Sequence, residues 1–146
     1  MSDNHLVEKV DVKFIADLLS STKSETPFWL DILESFIRNQ TSFETQKAYL
    51  IDLKQFFSWA FKKGVRSFKD ISFKLAIEYR DYLKKFGGRI IDGIPSEASN
   101  ATVHRKICAL SSFFSFVGRE ILLKTNQNIE NPFRRVERFT VDYSST

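Results

Sequence analysis

The chain has 146 residues, a hydrophobic share of 42%, a charged share of 27% and a formal net charge of +4. That length suits one domain and is enough to bury a core without metals or cross-links. A single cysteine, Cys108, excludes an internal disulfide and with it a secreted disulfide scaffold. The start, M-S-D-N-H-L-V-E-K-V, has no apolar run. No window approaches the roughly 18 apolar residues of a membrane span, so the expectation is a soluble cytoplasmic protein with no membrane partner.

Charge is unevenly spread. Residues 1–40 carry four Lys/Arg against seven Asp/Glu, and residues 41–146 carry eighteen against eleven. A basic excess confined to one part of a chain suits a polyanion, although a solvated basic face has the same composition. Fifteen phenylalanines point to a core of large rings packed between helices.

Few prolines and glycines are present, and none interrupts the long periodic segments, which favours an all-α chain. Residues 12–19, with Val12, Ile15, Ala16 and Leu19, predict a short first helix. Thr26-Pro27 reads as a cap followed by proline in the first turn, opening a helix to about Arg38. That helix buries Phe28, Trp29, Ile32, Leu33, Phe36 and Ile37. The next starts with a capping box at Thr41 and Glu44 or with a Ser42 cap; the sequence allows both. Its stripe is Tyr49, Leu53, Phe56, Phe57, Ala60 and Phe61, and Gly64 is the stop.

Ser72 predicts the cap of a further helix with Leu75, Ala76, Tyr79, Leu83 and Phe86 inward, ended by Gly87-Gly88. Residues 87–97 read as a long loop with a turn or small hairpin at Asp92-Gly93. Ser99 or Asn100 then caps a helix whose stripe is Val103, Ile107, Leu110, Phe114 and Val117. Gly118 ends or kinks it, and a short helical piece follows around residues 120–124. Asn131-Pro132 stops regular structure. The division expected is an extension over 1–25, a helical domain over 26–132 and a linker over 133–146.

On the helix from Ser99, the side opposite the stripe carries Thr102, Arg105, Lys106, Ala109 and Ser112. Small residues along an exposed side, with long donors near the N-terminus, are what a helix entering a major groove needs. Arg105 and Lys106 equally serve as solubilising charges. The helix from Ser42 repeats the design with Thr45 and Lys47 in its first turns and Lys54, Lys62 and Lys63 further on. Trp29 and Trp59 read as core aromatics. Asp52, the one acid inside the apolar stretch, reads as a carboxylate paired with a Lys or Arg of a neighbouring helix or capping one. His104 reads as an exposed polar residue, and Cys108 as a small buried hydrophobe without a His or Asn partner. No acid–base pair, metal cluster or phosphate loop marks an enzyme, and no cofactor or small-molecule substrate is expected.

Ser42-Phe43-Glu44-Thr45, Tyr49, Asp52-Leu53 and Phe56 resemble the pattern S-x-x-T-x-x-x-Y-x-x-D-L-x-x-F of the tyrosine recombinases, the phage integrase family. Thr102, Arg105, Ile107, Ala109-Leu110 and Phe113 or Phe114 resemble that family's T-x-x-R-x-L-x-A-L-x-x-F. Asn131-Pro132 sits where its N-terminal domain closes. The resemblance covers roughly residues 27–135 and rests on order and spacing more than on any single motif. It implies a compact SAM-like core-binding domain of four to five helices that grips double-stranded DNA beside other recombinase protomers. Carried over by position, it implies DNA contacts from Thr45, Lys47, Arg105 and Lys106, then Thr102 and Lys54. The loop at 87–99 and residues 1–25 depart from the pattern. The family's nucleophilic tyrosine and its arginine, lysine and histidine helpers have no counterpart after Asn131. Tyr143 reads as part of a linker, so the expectation is a fragment that binds without cutting, with no catalytic residues. Two rivals stand beside it: a helical protein–protein interaction module and a stand-alone DNA-binding regulator.

Overall fold

The computed structural model describes residues 2–137, with side chains from Asp11 onward. The described chain is predominantly helical, with one small two-stranded sheet. It divides into two compact units, Met1–Ile71 and Ser72–Thr146.

The first unit is built from α1 (Ser2–Leu19), α2 (Thr26–Arg38) and α3 (Phe43–Lys62). The helix expected over 12–19 in fact begins at Ser2. Its polar first half hides the apolar period on which the shorter estimate rested. From α1, Val12, Ile15, Ala16, Leu18 and Leu19 are buried, and the helix packs on both α2 and α3. Pro27 does lie in the first turn of α2, where its missing N–H is harmless, but Thr26 is not the cap. That position falls to Glu25, whose side chain makes no capping bond, while the Thr26 hydroxyl donates to Asp17 of α1 at 3.3 Å. Trp29, Ile32, Leu33 and Phe36 are buried as expected; Phe28 and Ile37 are half-buried at the margin.

The open frame at the start of α3 resolves to Ser42, which accepts from the Thr45 backbone N–H at 3.1 Å. Leu53, Phe56, Phe57 and Ala60 form the buried stripe, joined by Leu50 and Trp59. Phe61 was expected inside but stays partly exposed, flanked by the edge of Phe14 at 6.2 Å and the Arg66 guanidinium at 4.1 Å. Lys63 caps the helix and Gly64 follows at φ +102°, a left-handed stop that glycine adopts without strain. A 3₁₀ turn at Phe68–Asp70 then brings Phe68 against Trp29 at 5.1 Å.

The second unit opens with α4 (Phe73–Phe86), capped by Ser72 as predicted. Ala76, Tyr79 and Leu83 are buried, whereas Leu75 is half-buried and Phe86 is exposed. The turn at Asp92-Gly93 is a hairpin: β1 (Ile90–Ile91) pairs antiparallel with β2 (Ile94–Pro95). Asp92 at φ 52° and Gly93 at φ 77° supply the two left-handed residues of a type I′ connection.

α5 (Asn100–Thr125) starts from a Ser99 cap and runs through Gly118 without a break. The expected stop at Gly118 and the separate piece at 120–124 are therefore one helix, ended by Asn126 in the left-handed region at φ 61°. Gly118 has a different use. A Cβ there would lie 3.4 Å from the Ile129 carbonyl, so glycine lets the returning chain run close beside the helix. That return does not end at Asn131-Pro132. Residues 134–137 form a helical turn, and Phe133 and Val136 are fully buried, with Phe133 stacked on Phe114 at 5.5 Å. Asn131 ties the segment to α5: its Nδ2 donates to the Ser111 carbonyl at 2.8 Å and to the Ser115 hydroxyl at 2.9 Å. Its Oδ1 accepts from the Phe133 N–H at 2.9 Å. The remainder of the expected linker, with Tyr143, lies outside the described residues.

Candidate nucleic-acid interface

The residues singled out by sequence fall on two helices, one in each unit, and their local surroundings differ. On α3, each step turns the side chain by about 100°, so residues two apart face nearly opposite ways. Lys47 is exposed, and its Nζ lies over the Phe43 ring at 5.5 Å. Lys54, seven residues on, shares that side and pairs with Asp11 of α1 at 3.2 Å. Exposed Ile51 and Lys62 and half-buried Ser58 complete the outer face. Thr45 turns toward the other flank. It is half-buried, and its hydroxyl sits 2.9 Å from the Ser42 hydroxyl, part of the N-terminal cap. Lys47 and Lys54 are thus brought together, and Thr45 is not among them.

The start of α5 has the same cap. Ser99 Oγ accepts from the Thr102 N–H at 3.1 Å and donates to the Thr102 hydroxyl at 3.0 Å. Thr45 and Thr102, each three residues after a capping serine, therefore tighten a helix N-terminus. Lys106 and Thr102 share a half-buried flank of α5, while Arg105 stands on the water face. That face is narrow, because the core stripe and its neighbours Ala109, Ser111 and Phe113 bury more than half the helix circumference. Ala109, expected on the exposed side, is only 8% exposed. Between residues 105 and 121, what remains exposed is a line of Arg105, Ser112 and Arg119 at intervals of seven residues. Arg119 escaped the sequence reading because a helix ending at Gly118 leaves it in a loop. Once α5 is continuous, Arg119 stands about 21 Å along the axis from Arg105 on the same side.

His104 and Cys108 also differ from expectation. His104 is half-buried, and its Nε2 lies 3.4 Å from the Cys108 sulfur, one turn on. Cys108 in turn reaches the Glu137 carboxylate at 3.5 Å, while the other oxygen of Glu137 accepts from Ser111 at 2.8 Å. The thiol is therefore half-buried with a histidine beside it. Its chemistry is still the opposite of a nucleophile's. Burial first, then the Glu137 charge and hydrogen bond, push its pKa up to about 11, which keeps it protonated and inert. Among the described residues no three His, Cys, Asp or Glu side chains are placed to hold a metal ion.

Trp29 and Trp59 are buried core residues, not open stacking platforms. Asp52 is buried, and no fully buried side-chain nitrogen or oxygen among the described residues lacks a hydrogen-bond partner. No described helix is long and apolar enough to cross a membrane. Comparison with family models, with curated proteins and with solved structures returns no match.

Proposed function

We propose that this chain is a DNA-gripping domain of the SAM-like, tyrosine-recombinase type, which holds a recombination site in duplex form and leaves strand cleavage to residues it does not carry. The observation that supports this most is the open line of α5. Two arginines flank a serine as the exposed positions between residues 105 and 121 of a helix whose N-terminus is tightened by Ser99 and Thr102. Long cationic donors separated by a small residue let a helix approach a duplex closely and reach phosphates on either side. The basic, exposed Lys47 on α3 supplies a second contact of the same chemistry. The order and spacing of the S-x-x-T and T-x-x-R motifs add the family reading. Thr45 and Thr102 then act through the caps that hold their helix starts, and Lys106 and Lys54 are secondary contacts.

The test is binding to a randomised pool of duplexes across a salt series. Each phosphate contact contributes about 0.9 to the slope of log affinity against log salt. Lys47→Glu combined with Arg105→Glu is expected to flatten that slope by roughly two and to abolish retention of the pool at moderate salt. An unchanged slope refutes the assignment. A protein-interaction module is the second reading. Leu122 and Leu123, 45% and 82% exposed near the end of α5, favour it. Sedimentation that shows self-association independent of duplex, and lost in Leu123→Ser, would select it.

A further inference from the structure

One cluster of exposed large apolar side chains in the second unit is not on a helix. Ile90, Ile91 and Ile94 of the hairpin are 67%, 58% and 68% exposed. Ile91 faces Ile94 across the pair and Ile90 faces Pro95, and neighbouring strand residues point to opposite sides. Both sides of the hairpin are thus apolar and open. Such a hairpin is not stable by itself in water, so its shape is imposed from its base. The Gly88 N–H donates to the Ser96 carbonyl at 2.9 Å, the Ser96 N–H to the Arg89 carbonyl at 3.2 Å, and the Ala98 N–H to the Lys84 carbonyl at 3.3 Å. A Cβ on Gly88 would collide with the Glu97 carbonyl, so the two arms of the base run in direct backbone contact. The outcome is a short, pre-shaped, apolar prong. A side chain pair covered from one side only leaves half of this surface wet; a groove encloses it from both.

The charges near the prong indicate what kind of groove. Lys84, Lys85 and Arg89 lie on its α4 side. Residues 96–99 join β2 directly to α5, which places the start of α5 within about 18 Å of the base of the prong. Arg105 and Lys106 follow in the first turns of that helix. Acidic residues nearby are Asp92 at the tip, Glu97 at the base and Asp81 one turn before Lys85, the last paired with Arg80 at 3.2 Å. Cations therefore predominate around an apolar tip, the arrangement by which architectural proteins grip phosphates and push an aliphatic wedge against a base step.

We infer that the Ile90–Pro95 hairpin is a wedge that enters the minor groove beside the α5 contact, partly unstacks a base step and bends the duplex. This placement rests on the DNA reading above and extends it, since no base contact has been assigned to residues 87–99. Asp92 belongs to the turn, which needs a residue tolerant of positive φ, and its charge opposes the phosphates.

The experiment uses the full chain and end-labelled duplexes recovered from the randomised pool by the wild-type protein. Affinity is read by anisotropy and bending by energy transfer between the ends. The variant Ile90→Ser with Ile91→Ser and Ile94→Ser keeps the Asp92-Gly93 turn and alters only exposed side chains, so its helical circular dichroism should match wild type. Expected is a loss of bending with binding weakened roughly ten-fold. Asp92→Asn, which also tolerates the turn, should tighten binding. Wild-type binding without bending, or a triple variant that binds and bends like wild type, overturns the wedge and leaves the DNA reading standing. Unchanged affinity in Asp92→Asn overturns the placement of the tip against the duplex. Self-association lost in the triple variant while duplex binding is untouched also overturns it, in favour of a protein partner. Failure of the wild-type chain to retain any duplex removes both readings together.

Discussion

The Asn131 side chain makes four hydrogen-bond contacts, and replacing it has a calculable effect. Its Nδ2 serves the Ser111 carbonyl, the Ser111 hydroxyl at 3.1 Å and the Ser115 hydroxyl, and its Oδ1 takes the Phe133 N–H. Two N–H donors and one acceptor give about three effective hydrogen bonds, each worth about 1 kcal/mol net. Asn131 is half-buried, so water recovers part of this. The buried Ser111 hydroxyl keeps Glu137 as its acceptor and is not orphaned. Asn131→Ala should therefore destabilise the chain by about 2 kcal/mol, with an unchanged denaturant slope. Asn131→Asp is expected to be worse at neutral pH, because it sets a carboxylate against the Ser111 carbonyl with Glu137 near. Its carboxyl should titrate above the ordinary range, so stability should recover as pH falls through that raised value. Urea unfolding followed by far-ultraviolet circular dichroism measures both. A change below about 0.5 kcal/mol in Asn131→Ala refutes the idea that this side chain fastens residues 126–137 to α5.

Other consequences are equally direct. Ser42→Ala and Ser99→Ala each remove a cap and should cost about 1 kcal/mol in chemical denaturation, against a few tenths for the glycine replacements. With its pKa raised to about 11 from 9.0, Cys108 should alkylate roughly fifty-fold more slowly at pH 9 in the folded chain than in urea. Glu137→Gln, which removes the second cause of the shift, should recover part of that rate. The folded state keeps the thiol proton where the unfolded chain releases it. This contribution to stability is therefore full below pH 9 and lost as pH rises toward 11, and Cys108→Ala should remove that segment of the pH profile.

Local chemistry was readable in advance, and long-range packing was not. Ser72 as a cap, Gly64 as a stop and Asp92-Gly93 as a turn each follow from what one or two residues demand of their own backbone. The stripe Val103, Ile107, Leu110, Phe114 and Val117 follows from period alone, and all five are buried. The misreadings at Cys108 and Gly118 share a single cause. Residues 126–137 double back along α5, so that Ile129 meets Gly118 and Glu137 meets Cys108. A helix covered on a second side loses most of its water face, and no pattern within the helix announces that cover. The candidate interface shows the same division. Arg105 and Lys47 were visible as exposed cations, Arg119 required the true length of α5, and Thr45 required the cap geometry.

The placement of chromophores has a practical result. Both tryptophans, Trp29 and Trp59, belong to Met1–Ile71, while the sole thiol belongs to Ser72–Thr146. Tryptophan emission, excited selectively, therefore watches one half of the molecule and thiol trapping the other, without any engineered reporter. A single unmodified sample, titrated with denaturant, can reveal whether the halves melt in one step or in two.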